Sequence, residues 1–318
     1  MGRTYMTKKV SVLIACYNET ENVIPMSKVV TEQFKTKLLG YDYEICFIDN
    51  CSTDGTREKL EMLCAHDKHI KAIFNVKNFG QWNSPYYGIC QMKGDCVIVM
   101  CCDFQDPPDL IPRFVAEWEK GYKIVAAIRD KSEENKIMRF LRTCYYKLIR
   151  NISSIEQIDY FSGTGLYDKS FVEILRKLDD PIPFLRNIVS EFGYKRKDIY
   201  YTQAKRKAGH THNNLFSLYD GAMRSITSYT KIGLRIATIL GFLIGIFSFI
   251  VALYYFVMKL VYWTSFPMGQ APIVIGVFFL GAMQLFFIGI MGEYILTINA
   301  RTMHRPLVIE ERRLNFDE

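Results

Sequence analysis

Residues 236–258 form a run of 23 positions without a charged side chain, and residues 270–292 form a second run of 23. Coiled as a helix at 1.5 Å per residue, each reaches about 34 Å, enough to cross a hydrocarbon layer of roughly 30 Å. Neither run has a polar face with which a helix of a soluble core would meet water, so both are expected to span a membrane. The short segment between them, 259–269, carries one charge. Lys231 and Arg235 precede the first run, and Arg301, Arg305, Arg312 and Arg313 follow the second. This basic bias places residues 1–235 and the tail in the cytoplasm. The first nine residues are polar and lead into a β-like run, so no cleavable signal peptide is expected.

Ahead of these runs, short β-rich stretches alternate with helical ones. Strands are expected over 10–15, 43–48, 71–75, 96–100 and 123–128, with helices over 21–37, 53–66, about 84–92 and 110–120. This alternation, with mostly short connections, predicts an α/β domain whose mainly parallel sheet is joined by right-handed crossovers. The continuous apolar character of the strands fits burial on both faces. Two further stretches are amphipathic. Residues 136–152 set Ile137, Leu141, Cys144, Leu148 and Ile152 on one stripe beside several basic residues, and 214–233 repeats the theme before the first apolar run. Such helices suit the surface of an anionic leaflet. The expected division is a catalytic-type domain over 1–210, an interfacial helix over 211–235, a two-helix transmembrane hairpin over 236–300 and a cytoplasmic tail over 301–318.

Three polar clusters each follow directly on a β-like run: Cys16-Tyr17-Asn18-Glu19, Asp49-Asn50-Cys51-Ser52-Thr53-Asp54-Gly55 and Asp103-Phe104-Gln105-Asp106-Pro107-Pro108. In open α/β sheets ligands gather beyond the carboxyl ends of the strands, so three such clusters point to one site. Carboxylate and amide oxygens there are the ligands that Mg²⁺ or Mn²⁺ prefers. None of the nine cysteines forms a Cys-x-x-Cys pair, and Cys96, Cys101 and Cys102 read as small buried hydrophobes of a reducing compartment. The net charge of +7 suits anionic lipid and phosphates, and no nucleic-acid-binding motif is present.

In this order the motifs resemble glycosyltransferase family 2, in the branch of polyprenyl-phosphate glycosyltransferases related to dolichyl-phosphate mannose synthase. Residues 13–21, with Ala15, Tyr17 and Glu19, stand where that family has a Pro-x-Tyr-Asn-Glu segment against the nucleotide. Residues 48–56 match its Asp-Asp-Gly-Ser-x-Asp-Gly-Thr, whose first Asp, here Asp49, contacts the base. Asn78-Phe79-Gly80 and Gly94-Asp95 match further landmarks. The segment from Asp103 to Pro108 matches its Asp-x-Asp-Leu-Gln-Asp-Pro-Pro metal motif, and Arg206-Lys207-Ala208-Gly209-His210-Thr211-His212 resembles its Arg-x-x-Gly-x-Ser-Lys loop. The resemblance implies a GT-A-type domain, a nucleotide-sugar donor held by Ala15, Tyr17, Glu19, Asp49, Asn78, Asp103 and Gln105, and a divalent ion on Asp103 and Gln105. Arg129, Arg139, Arg142, Arg206 and His212 become candidates for phosphate, with Asp103 and Arg206 the central catalytic residues.

Two departures accompany the match. Cys101 replaces the first Asp of the metal motif, and a thiol is a poor Mg²⁺ ligand. Where many relatives carry an Asp proposed as general base, this chain has Gly163 or Thr164, with Asp159 and Asp168 the nearby substitutes. A polyprenyl phosphate is already an oxyanion at neutral pH, so the nucleophile needs no base; the reaction needs charge neutralisation and in-line positioning. His212 in place of the family's Lys gives a pH-dependent cation.

The expected activity is transfer of a hexose-type sugar, with inversion, from a nucleotide-sugar (a UDP-sugar first) to a polyprenyl phosphate such as undecaprenyl phosphate. The expected setting is the cytoplasmic face of a bacterial inner membrane. A homo-oligomer is left open. The competing reading is a weakened protein that binds nucleotide-sugar or lipid phosphate without turnover. A processive polysaccharide synthase is disfavoured by the two spans and the lack of a Gln-x-x-Arg-Trp segment. Glu293 reads as an interfacial carboxylate, and Trp82, Tyr86 and Tyr87 as core aromatics or as stacking partners for a base or sugar.

Overall fold

The computed structural model describes residues 7–131, 158–178, 180, 183–204, 223, 232–261, 270–303 and 305–316. The basic helix expected over 136–152 and nearly all of that over 214–233 lie outside the described residues, as do Arg139, Arg142, Arg206 and His212. By their contacts, residues fall into two compact units, one of which includes Met303–Glu318 as well as the N-terminal domain.

In the first unit eight strands form one sheet: β1 (Lys9–Cys16), β2 (Asp42–Asp49), β3 (Ile70–Asn75), β4 (Cys96–Cys101), β5 (Ile124–Lys131), β6 (Phe161–Asp168), β7 (Arg196–Thr202) and β8 (Glu310–Leu314). Their spatial order is β7-β5-β6-β4-β1-β2-β3-β8. The pairs β1–β2, β1–β4, β2–β3 and β5–β7 run parallel, while β6 is antiparallel to both its neighbours and β8 to β3. The sheet is therefore mainly parallel, as expected, and fits the GT-A type. The antiparallel β6, together with β7 and β8, was not foreseen.

Among the described residues six helices cover the sheet: α1 (Val23–Thr36), α2 (Thr56–His66), α3 (Gly80–Gln91), α4 (Leu110–Glu119), α5 (Lys169–Lys177) and α6 (Leu185–Glu191). Side chains alternate across β1, so Val10, Val12 and Ile14 join a core with Met26, Leu60 and Phe114 from α1, α2 and α4. Leu13 on the opposite face joins Ile89, Phe171 and Ile188 from α3, α5 and α6. The result is three layers with the sheet in the middle. At Gly165 the backbone of β5 comes so close that a Cβ would collide with the Val125 carbonyl, which accounts for a residue without a side chain in the middle of β6.

Helix α3 starts four residues before the expected 84 and carries Pro85 inside it. Proline at that place removes one backbone bond. The extra turn is held instead from outside, where Gly80 donates its N–H to Asn78 Oδ1 (2.8 Å) and its carbonyl accepts from Asn50 Nδ2 (3.3 Å).

The second unit contains α7 (Ile232–Val261) and α8 (Gln270–Thr302), which pack on one another. Both uncharged runs are thus helical. Among the described residues Phe279–Thr302 is the stretch long and apolar enough to cross a membrane by length and composition; Glu293 lies within it. The tail after α8 contributes Glu310–Leu314 as the eighth strand of the first unit's sheet.

Candidate active site

The parallel register brings the polar clusters to one edge. Cys16 lies opposite Asp49, Ala15 opposite Cys101, and Asp49 opposite Phe74, so β1 to β4 end side by side. Because β6 runs the other way, it enters at this edge, with Tyr160, Phe161 and Thr164 near the ends of the other strands. The loops here are tightly bent. Among the described residues five that are not glycine have positive φ, and Asn18 (55°), Cys51 (67°), Phe104 (59°) and Tyr160 (58°) all belong to this edge. Asn tolerates that region, whereas Cys, Phe and Tyr adopt it at a cost of order 1–3 kcal/mol each, as is common around ligand sites.

The loops after β1 and β2 are zipped together. Asn18 N donates to Ser52 Oγ (2.8 Å), Thr53 N to Asn18 Oδ1 (2.9 Å), Glu19 N to Thr56 Oγ1 (2.9 Å) and Thr20 N to Asp54 Oδ2 (3.0 Å). These bonds explain the spacing of the Asp49–Thr56 motif, since Ser52, Asp54 and Thr56 each hold one amide of the Tyr17–Glu19 loop or its flank. Tyr17 and Glu19 are half-buried, and Ala15 accepts from Cys102 N. Asp49 is fully buried: its carboxylate accepts from Ser52 N (3.1 Å) and from Arg57 Nε (2.9 Å). Burial opposes the positive charge of Arg57, but its bonds to Asp49 and Glu311 outweigh this and hold its pKa above the ordinary value. Asn50 ties the next loop, donating to Asn78 Oδ1 (2.8 Å) and accepting from Phe79 N (2.9 Å) and Asn75 Nδ2 (3.2 Å). The side chain of Asn78 is thereby engaged in shaping its own loop, although the residue is exposed.

The turn after β4 brings acidic and amide oxygens together. Asp103 is buried and its Oδ1 accepts from Gln105 N (3.1 Å), a local turn that puts Phe104 at positive φ. Gln105 is half-buried, and its carbonyl accepts from Ala204 N just past β7. Asp106, 1% exposed, accepts from Thr164 Oγ1 (2.6 Å) on β6 and, through a short contact, from the Tyr201 hydroxyl on β7. Arg129 on β5 donates to that hydroxyl (3.3 Å). Burial would lower the pKa of Arg129, but Tyr201 and Asp106 beside it raise it, so a fixed cation stands at the edge. Burial and then Asp106 push Tyr201 well above the usual phenol range, which keeps it protonated as a donor.

Two expectations need correction. Cys101 is exposed, not a buried core residue. Val97 and Val99 on the same face are covered by the second core, but Cys101 is the last residue of β4 and lies past that cover. Its thiol pKa is nevertheless raised, by desolvation and then by the neighbouring Asp106 and Asp103. Asp168 is not near the site: it pairs with Cys96 at the opposite end of the sheet. There it caps α5 by accepting from Ser170 N (2.9 Å), with Trp118 Nε1 (2.7 Å) and Lys123 Nζ (3.0 Å) on the same carboxylate. Asp159 lies in the turn that precedes β6, on the site's side. Tyr86 is a core residue bonded to the Leu175 carbonyl, and the Trp82 ring packs on Phe184 (4.9 Å).

Among the described residues no group of three or more His, Cys, Asp or Glu could hold a metal ion. Mg²⁺ needs less than that when phosphates and water supply the remaining ligands, since one or two protein oxygens suffice. The Asp103 carboxylate and Gln105 amide at the same turn fit such a minimal set. Sequence reading missed Asn50, Arg57 and Tyr201 and gave Asp106 and Thr164 no role. Asn50 and Asp106 stood inside recognised motifs, whereas Tyr201 had no local signal.

Residues 11–176 match the model of glycosyl transferase family 2. The chain is 32% identical over 93% of its length, and 89% of the relative's, to the protein named putative glycosyltransferase CsbB of Bacillus subtilis (strain 168). It is 30% identical to the bactoprenol glucosyl transferase of Shigella phage SfV, covering 95% of this chain and 97% of that one. Glucosyl-3-phosphoglycerate synthase from Mycobacterium tuberculosis, solved in complex with UDP, superposes with a TM-score of 0.46 at 13% identity, over 69% of this chain and 78% of that one. A family model that covers more than half of the chain, together with relatives that match nearly all of it, identifies a glycosyltransferase. The chain belongs to glycosyltransferase family 2.

Proposed function

We propose that the protein transfers a hexose-type sugar from a nucleotide-sugar, a UDP-sugar first, to polyprenyl phosphate at the cytoplasmic face of a bacterial inner membrane. The observation that carries this reading is the convergence of the three polar clusters at one sheet edge, in a chain that matches bactoprenol glucosyl transferases along nearly its whole length. The donor is assigned to Ala15, Tyr17, Glu19, Asp49 and Asn78, with its diphosphate beside Asp103 and Gln105. A divalent cation on these two oxygens, Mg²⁺ or Mn²⁺, would neutralise charge on the leaving diphosphate. Arg129, fixed through Tyr201 to Asp106, presents a guanidinium suited to a phosphate oxygen. Arg206 with His212, and Arg139 with Arg142, are assigned to the acceptor phosphate from the sequence motifs.

The step needs no protein base. One oxygen of the acceptor phosphate, already ionised, forms a bond to the anomeric carbon as the bond from that carbon to the diphosphate oxygen breaks. The nucleoside diphosphate leaves with the electron pair, and a single displacement inverts the configuration. Thr164, in the region where relatives carry an acidic residue, donates to Asp106 and so serves the cation's support.

The fold also supports two crossings. Strands before α7 and after α8 share one sheet, so the intervening chain returns to the side it left. With Phe279–Thr302 as one span, this supports reading residues 236–258 in α7 as the other. The test is incubation of the full-length protein in membranes with undecaprenyl phosphate, divalent cation and a panel of labelled nucleotide-sugars. A lipid-linked sugar that forms only with the cation is the expected result. Nucleotide binding without any lipid product would favour the alternative, a binding protein without turnover, which the Cys101 replacement makes worth separating.

A further inference from the structure

The C-terminal strand reaches the proposed donor loops through one side chain. Arg57, on the first turn of α2, spreads its guanidinium over three elements: Nε to Asp49 Oδ2 (2.9 Å), Nη2 to the Asn75 carbonyl (2.8 Å) and Nη1 to Glu311 Oε2 (2.8 Å). It also lies over the Phe74 ring, at 5.4 Å from the centroid, with Arg312 of β8 over the same ring at 4.8 Å. From Asp49 the connection continues to Ser52 N (3.1 Å) and from Ser52 Oγ to Asn18 N (2.8 Å). That path joins residue 311 to the two left-handed turns at Cys51 and Asn18. The strand is anchored at both ends, since Val76 N donates to the Ile309 carbonyl and Asn315 Nδ2 to the carbonyls of Cys64 and Ile70.

We infer that Arg57 is a positioning residue for the donor nucleotide and that Glu311 on β8 completes its setting, so that the tail following the last membrane helix is a structural part of the donor site. This rests on the assignment of the Asp49 loop to the donor. Lysine in place of Arg57 keeps one charge but cannot reach three acceptors in a plane, because an ammonium has no fork. Without Glu311 the guanidinium keeps two partners, and the loss is smaller. A merely structural cement would lower the melting temperature without changing how the folded protein handles its donor.

The experiment uses full-length protein in detergent or nanodiscs, at a temperature where every variant is folded. Binding of UDP and of GDP is measured by calorimetry, and KM is measured separately for donor and for lipid. Arg57→Lys is expected to weaken nucleotide binding and raise donor KM about tenfold, the cost of one charge-assisted bond, with the lipid KM unchanged and kcat within about twofold. Glu311→Ala should give about threefold, Glu311→Asp should recover part of it, and Glu311→Ala should add nothing in an Arg57→Lys background. Nucleotide affinity and donor KM equal to wild type in both single variants, with only the melting temperature lowered, would overturn the inference while leaving the proposed function standing. Failure of the wild type to bind either nucleotide would overturn the donor assignment itself, and this inference with it.

Discussion

Glu44 and Asp49 are both buried on strand β2, near its opposite ends, and the two ends treat a carboxylate differently. At the amino end Glu44 accepts from Ser11 Oγ (2.5 Å) and pairs with Lys71 (2.9 Å) and Lys9 (3.1 Å), groups from β1 and β3 on either side. Burial works against its charge, yet the Ser11 bond and the lysines pull its pKa down to about 2 from 4.5. The cluster is closed, and its backbone is regular strand. At the carboxyl end Asp49 and Asp103 accept from the loop amides of Ser52 and Gln105, Asp49 also from Arg57 of α2, and Asp106 from Thr164 of β6 and Tyr201 of β7, beside loops bent by four left-handed residues. One end uses buried charge to clamp three strands, and the other uses it to hold backbone in conformations that cost energy. A closed charge cluster and a set of bent polar loops thus occupy opposite edges of one sheet, in keeping with the placement of sites in open α/β folds.

The largest effect that separates the two edges is expected at Asp103. Asp103→Ala should cut sugar transfer at least about a thousandfold, roughly 4 kcal/mol of transition-state stabilisation, with little change in the melting temperature. Transfer at full rate in EDTA would remove the metal assignment and the contrast with it.

Glu44→Ala should do the reverse. It leaves the largely buried Lys71 without its partner, so denaturant unfolding should show a loss of about 3–5 kcal/mol while kcat at low temperature stays unchanged. The pH dependence has a definite sign. A carboxylate whose folded pKa is depressed from 4.5 to about 2 stabilises fully above the unfolded value. Its contribution, on the order of 3 kcal/mol, is lost as pH falls through that window. Glu44→Gln should therefore flatten the acid limb of stability between about pH 4.5 and 2, and an unaltered limb would show that other carboxylates dominate it.

Asp106→Asn is predicted to lie between these cases. It weakens the support of Tyr201 and Arg129, so a loss of about 1–2 kcal/mol in stability and about tenfold in turnover should appear together. The smallest effect is expected at Cys51→Gly. Relief of the left-handed strain should raise stability by about 0.5–1 kcal/mol. A drop instead would mean that the Cys51 side chain packs more favourably than its backbone is strained.

Much of this fold was legible in the sequence because β1 to β4 carry apolar runs, and β1, β2 and β4 each end in a polar cluster that marks the edge of the candidate site. The strands β6, β7 and β8 were not, for identifiable reasons. Phe161–Asp168 contains two glycines beside Ser162 and Thr164, which breaks the apolar pattern of a strand, and the crowding at Gly165 shows why one of those glycines is needed. Glu310–Leu314 has four charged residues among five, as suits an edge strand facing water but not a periodicity count. In the site, Asp103 and Gln105 were readable from their motif. Arg57 and Tyr201 were not, since their partners lie as far away as Glu311 and Asp106 and no spacing rule connects them.

Strand β8 has a consequence for how the molecule is made. Glu310 pairs with Asn75 of β3 but lies 235 positions later in the chain. At roughly 5–20 residues per second, the ribosome needs on the order of 10–50 s to travel from one to the other, and in that interval it must also deliver α7 and α8. Throughout that time the outer edge of β3 offers unpaired backbone groups to any other strand, the situation that leads to aggregation. Because β8 covers this edge, a chain cut short anywhere before residue 310 leaves the ribosome with the edge of β3 open.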